Sequence, residues 1–257
     1  MAPQGNRRAT VAAETASGIV ELRPDPAFPR AWTLLVNGVA QSYVDLADPE
    51  HLDFSYLTLI GVVLRRCAPA GVPLTVLHLG GGGLALPRLL DHLRPGSAQR
   101  VVERDADLAA MVTRLLPPPP AIEIVIGDAR ERLAAEEPGR YDVIVSDVFE
   151  GDRPPPSVTT TGYAEAARRA LKPDGLLVVN VADVPPLAHT ATQVATLRAV
   201  FPEVRASASA GMLRGCRAGN VILLAGAAIR PAAGPLVTGP EWEDFAIGAM
   251  PLLDEPA

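Results

Sequence analysis

Lysine is almost absent from this chain: of 23 basic residues among 257, all but Lys172 are arginine. No basic run exceeds a pair such as Arg65-Arg66 or Arg168-Arg169, and the net charge is −6. A surface of that kind does not neutralise phosphates, so nucleic acid is not an expected partner. Cysteine is equally scarce. Cys67 and Cys216 are far apart and share no CxxC, which points to two reduced thiols rather than a disulfide framework. His51, His78, His92 and His189 show no ligand spacing, so no metal site is expected. Nowhere do about 18 apolar residues run without interruption, and the N-terminus carries no apolar h-region. No membrane segment follows from such a pattern, and a soluble, cytoplasmic protein is expected. With 48% hydrophobic residues the chain can nevertheless bury one large core.

What the chain does have is glycine in one telling place. Val76-Leu77-His78-Leu79 runs into Gly80-Gly81-Gly82-Gly83 and then without a break into Leu84-Ala85-Leu86. This is the pattern of a buried strand, a tight turn and a helix start. Gly80, Gly82 and Ala85 fit G-x-G-x-x-G/A, where missing side chains let backbone N–H groups approach a ligand. A second strand, Gln99 to Val102, runs into Glu103-Arg104-Asp105, putting an acid ~20 residues past the glycines, where ribose hydroxyls are held in such folds. A third, Ile122 to Ile126, runs into Gly127-Asp128-Ala129, and a fourth, Tyr141 to Ser146, ends in Asp147. Glu103, Asp128 and Asp147 are therefore expected around the crevice at the carboxyl ends of the strands.

The organisation around this motif is α/β. Residues 1–9 read as a disordered tail. Residues 10–50 read as a small antiparallel β unit, with Asn37-Gly38 as its hairpin turn. A helix over 51–64 leads into residues 51–230, a Rossmann-like unit of alternating strands and helices with an antiparallel hairpin of the last two strands at one edge. Residues 231–257 form a Pro- and Gly-rich tail, with a short helix expected at 241–250. Several side chains have plain packing readings: His78 inside an apolar strand, Trp32, Trp242, and Tyr163 on the helix from Thr161. Ser157 to Thr161 supply an N-cap or an acceptor-site mouth. Arg214 to Asn220 form either a hairpin turn or a cover over the acceptor, and Pro117 to Pro120 a rigid connector.

The order of elements, with "GGGG", "ERD", "GDA" and "SDVFEGDRPP", resembles the spermidine synthase (polyamine aminopropyltransferase) family over roughly Ala12 to Ala225. The resemblance implies a seven-stranded methyltransferase-type sheet, a homodimer, and S-adenosylmethionine or decarboxylated S-adenosylmethionine as the bound nucleoside. It implies that Gln41 contacts this cofactor from the hairpin and that Gly80, Gly81 and Gly82 hold its methionine-derived chain. Glu103, with Arg104 beside it, takes the ribose; Asp128, with Ala129, takes the adenine; Asp147 is the base that deprotonates an attacking amine. Three departures touch the chemistry. Gly83 stands where the family has an aspartate that meets the aminopropyl ammonium. The polyamine-holding run reads Asp147-Val148-Phe149-Glu150-Gly151-Asp152, with Glu150 as its second acid. The family's polar triplet on the linking helix reads Tyr56-Leu57-Thr58. The acceptor channel is thus more apolar than a diamine requires.

The expected activity is alkyl transfer, methyl or aminopropyl, from a sulfonium to a small-molecule acceptor. Asp147 is the candidate base, with Tyr56, Glu150 and Tyr163 as acceptor contacts. Two alternatives stay open: a nucleoside-binding homologue without turnover, and a nicotinamide-linked oxidoreductase, which shares G-x-G-x-x-A plus an acid.

Overall fold

The computed structural model describes residues 8–151, 153–213, 217–227, 229, 245, 246 and 248–254. Trp242, Asp152, residues 214–216 (with Cys216) of the 214–220 loop and most of the two tails lie outside these residues. The chain opens with β1 (Val11–Thr15), β2 (Gly18–Pro24), β3 (Ala31–Val36) and β4 (Val39–Asp45), an antiparallel sheet in that order. Asn37 and Gly38 both take positive φ between β3 and β4, as a tight hairpin turn demands. The linking helix α1 (Ser55–Arg66) starts four residues later than the apolar spacing suggests. His51 is drawn away from the helix by its Nδ1 contact to the Asp45 carboxylate, 3.1 Å.

Beyond α1 come β5 (Thr75–Leu79), α2 (Ala85–Leu93), β6 (Ala98–Glu103), α3 (Ala106–Leu115), β7 (Ile122–Ile126), α4 (Ala129–Ala135) and β8 (Tyr141–Ser146). They are followed by α5 (Thr161–Ala170), β9 (Leu171–Asp183), α6 (Ala188–Arg198), β10 (Glu203–Ala208) and β11 (Gly219–Gly226). The second sheet has the order β10-β11-β9-β8-β5-β6-β7. Val76, Leu77 and Leu79 of β5 are fully buried, as a central strand covered on both faces must be. The expected antiparallel hairpin of the last two strands is present. Its return strand β11 is antiparallel to both β9 and β10, so β10 forms the edge.

From β5 the chain steps outward through β6 to β7, then returns to the other side of β5 for β8. The reversal opens a crevice between the carboxyl ends of β5 and β8. Capping fixes the helices around it: Asp105 accepts from the N–H groups of Asp107 and Leu108, Asp128 from Arg130 and Glu131, and Thr160 from Tyr163. The N-cap reading of Thr160 accounts for that threonine run. The two sheets share a core, since Leu22, Trp32, Leu34 and Val44 pack in one cluster with Leu57, Ile60, Leu84 and Leu86. Near the C-terminus, residues 245, 246 and 248 are turn rather than helix. Asp254 there accepts from Thr160 Oγ1 (2.8 Å) and Gly162 N (2.9 Å), and pairs with Arg130.

Asp105 also ties the two sheets together. Its Oδ2 accepts from Thr15 Oγ1 (2.6 Å) and from Ser17 N (2.8 Å), bringing the β1–β2 turn over α3. Burial pushes this carboxyl up, but the hydrogen bonds from Thr15, Leu108 and Ser17 outweigh it and hold the group at about 2. A depressed carboxylate stabilises the fold above its unfolded value and loses that contribution as pH falls towards the folded one. Asp105→Ala should therefore cost about 2 kcal/mol in urea unfolding at pH 7, with a smaller penalty at pH 2 to 3. A cost that is constant from pH 7 to pH 2 would contradict this role.

Candidate functional site

A cavity of about 380 Å³ lies over the crevice, roofed by the β1–β2 turn, β4 and α1. Its floor is the glycine turn. Gly80 has φ 95° and Gly82 φ 47°, and a Cβ on Gly80 would overlap the Asp147 carbonyl oxygen. Leu84 follows at φ 63°, an αL conformation in which its side chain is almost fully buried. Strand ends are stitched across the turn: Gly80 N donates to Val102 O (2.9 Å), Asp147 N to Leu79 O (2.9 Å), and Gly127 N to Glu103 O (3.0 Å).

The three acids expected at the strand ends do meet on this cavity. Glu103 Oε2 accepts from Gly81 N (3.0 Å) and Gly82 N (3.3 Å), while Oε1 accepts from Asp105 N (3.0 Å). Asp128 spends Oδ1 on the α4 cap, at 2.8 Å from Arg130 N and 3.1 Å from Glu131 N. Ala129 begins that helix, buried against the same wall. Asp147 is partly open to the cavity, and burial raises its carboxyl to about 6 against the opposing pull of a 2.8 Å hydrogen bond from Asn180 Nδ2. Asn180 is itself oriented, because its Oδ1 accepts from Asn220 Nδ2 at 3.0 Å.

Gln41 and Tyr56 face the cavity from above, and the Tyr56 hydroxyl donates to the Gln41 carbonyl oxygen at 3.1 Å. Burial, with the nearby Asp147 charge, raises the Tyr56 phenol well above its ordinary value, so it stays protonated. Leu57 is buried in the cavity wall, whereas Thr58 is exposed and bonds to the backbone of Leu52 and Phe54. Val148 and Phe149 also line the cavity. Glu150 and Arg104 sit at the rim and pair at 3.2 Å, both more than half exposed, an ion pair of small energetic weight. His78 belongs to the floor. It is nearly inaccessible, bonded to Gln99 Oε1 at 3.0 Å, and burial lowers it to about 4, which keeps it neutral.

Tyr163 is placed elsewhere. It is buried in the packing cluster behind β8 with its hydroxyl 2.9 Å from Ser146 Oγ, and it is not among the cavity-lining residues, so the geometry favours its packing reading over an acceptor contact. Sequence reasoning missed Asn180, which the sheet brings beside Asp147, and Ser42, which lines the cavity beside the glycine turn. Asn180 left one signal, an amide in the otherwise apolar run Leu176 to Val181.

No family model matches the chain. A crystal structure of a probable spermidine synthase from Corynebacterium glutamicum superposes over 97% of this chain and 98% of its own, with TM-score 0.89 and 29% identity. A curated polyamine aminopropyltransferase from Chromobacterium violaceum is 29% identical over 144 residues, 54% of this chain and 53% of that protein. The chain is thus spermidine-synthase-like in sequence and fold. It spans about half the length of the curated aminopropyltransferases it matches. Human methyltransferase-like protein 13, crystallised with SAH, shares the fold at TM-score 0.55 and 25% identity, over 73% of this spermidine-synthase-like chain and 86% of its own.

The crowding at Gly80 has a measurable consequence. Gly80→Ala forces a Cβ against the Asp147 carbonyl at a φ that L-residues avoid, and should lower stability by about 3 kcal/mol in chemical denaturation. A variant within about 0.5 kcal/mol of the parent would mean that the turn can open.

Proposed function

We propose that this chain is a transferase that binds S-adenosylmethionine or its decarboxylated form and moves an alkyl group, methyl or aminopropyl, to a small-molecule acceptor. The observation that carries the reading is the convergence of Glu103, Asp128 and Asp147 with the glycine turn on one cavity. The donor set fits an adenosine. Glu103 is an acceptor suited to vicinal hydroxyls, Asp128 to an exocyclic amine, and the side-chain-free turn admits close backbone approach. Relatives that transfer aminopropyl groups, and a neighbour solved with SAH, support the same class.

A bound sulfonium donor would supply an activated carbon and a neutral thioether leaving group. The chain's own work is then to hold the acceptor in line and to take its proton. Asp147 is the base in this reading. At about 6 its carboxyl is mostly ionised at neutral pH yet basic enough to accept a proton from an amine, and Asn180 fixes its orientation. Leu57, Val148 and Phe149 turn the acceptor side apolar, and Glu150 is held by Arg104 at the rim. These features favour an acceptor with a single amine or an uncharged nucleophile over a diamine that needs an anionic partner at each end.

Incubation with each sulfonium donor and a panel of amines and apolar nucleophiles, read by mass spectrometry, tests this. Methylthioadenosine as by-product means aminopropyl transfer; S-adenosylhomocysteine means methyl transfer. Neither product would favour a pocket without turnover, and preferential binding of a nicotinamide dinucleotide would favour the oxidoreductase. Asp147→Asn should cut turnover about 100-fold while leaving donor affinity nearly intact. Because burial raises this carboxyl, the base is lost by protonation as pH falls, so kcat/KM of the parent should drop below pH about 6. A flat profile from pH 5 to 8 would remove Asp147 from the role.

A further inference from the structure

Where β4 crosses the start of α2, the cavity has a corner unlike the rest. Helix α2 begins with no side-chain cap and no acidic residue in its first turn, and Ala85 and Leu86 of that turn line the cavity. Pro87 has no N–H, so the N–H groups of Ala85 and Leu86 present the positive end of the helix to whatever the cavity holds. An independent feature faces the same spot. Ser42 is 5% exposed, lines the cavity, and its hydroxyl makes no hydrogen bond among the described residues. Its oxygen is not sealed off but opens on the cavity, where a ligand atom can take up its hydrogen bond. Ser42 Oγ lies 2.9 Å from where a Cβ on Gly83 would sit, and Val44 Cγ2 is as close, so a side chain at position 83 would have to displace Ser42 or Val44.

The charges elsewhere in the cavity sharpen the contrast. Glu103 is bonded to the glycine turn, Asp128 to the α4 cap, Glu150 to Arg104 and Asp147 to Asn180. The Ser42 corner offers hydrogen-bond donors, and the adjacent Glu103 carboxylate is taken up by Gly81 N and Gly82 N rather than by Ser42. We propose that Ser42 and the first turn of α2 seat the α-carboxylate of intact S-adenosylmethionine, which makes the carboxylated donor, and not its decarboxylated form, the one this chain selects. The inference rests on the nucleoside reading above and narrows it to one donor.

Calorimetry on the full chain with S-adenosylmethionine, decarboxylated S-adenosylmethionine and methylthioadenosine separates the two claims. The parent should bind the intact donor at least about tenfold more tightly than the decarboxylated one. Ser42→Ala should lose about tenfold towards intact S-adenosylmethionine and keep methylthioadenosine, which has no carboxylate, within about twofold. Equal or tighter binding of the decarboxylated donor overturns the inference, as does a Ser42→Ala change that is absent or equal for both ligands. If methylthioadenosine binds and intact S-adenosylmethionine does not, this inference alone falls. If no nucleoside binds, the reading beneath it falls as well.

Discussion

The contact between Gly80 and the backbone of Asp147 is the constraint on which the site depends. At the point where the strand order reverses, two chain segments leave β5 and β8 side by side, and only a residue without Cβ lets them approach. Because they do approach, Asp147 N reaches Leu79 O and Gly80 N reaches Val102 O, so three strand ends become one rigid lip. The carboxylates are then held by backbone of defined position rather than by flexible loops. Preorganisation of that kind is what positioning chemistry needs.

The acids also show how the chain tolerates negative charge around the crevice. Glu103 and Asp128 each accept two or more backbone N–H bonds, from the turn and from a helix start. Asp147 has a single amide donor, which does not offset the burial that raises its carboxyl to about 6. Environment thus separates acids of one chemical type into holders and a candidate base. The small sheet contributes the roof, and its attachment at Asp105 and its shared core with α1 and α2 keep that roof in place.

Much of this was legible in the sequence because the informative residues are backbone-determined. Glycines at 80 to 83 could only mean a turn, and acids directly after apolar runs had to fall at strand ends. Asn37-Gly38 announced its hairpin in the same way. Residues whose partners are remote in the chain were not legible. Asn180 is 33 positions from Asp147, and Ser42 meets Gly83 only because β4 folds over α2. Tyr163 had two readings that sequence could not separate, since an aromatic on an amphipathic helix turns to cavity or core according to packing that no local pattern encodes. The late start of α1 has a similar origin in the bond between His51 and Asp45.

The most direct test of the central claim is a crystal structure of the chain soaked with methylthioadenosine. The account expects the ribose hydroxyls on Glu103, the adenine amine on Asp128, and the thioether side over Gly80 to Gly82. Density for the nucleoside elsewhere on the surface, or Glu103 still closed on Gly81 and Gly82 with the cavity unoccupied at saturating ligand, would contradict it.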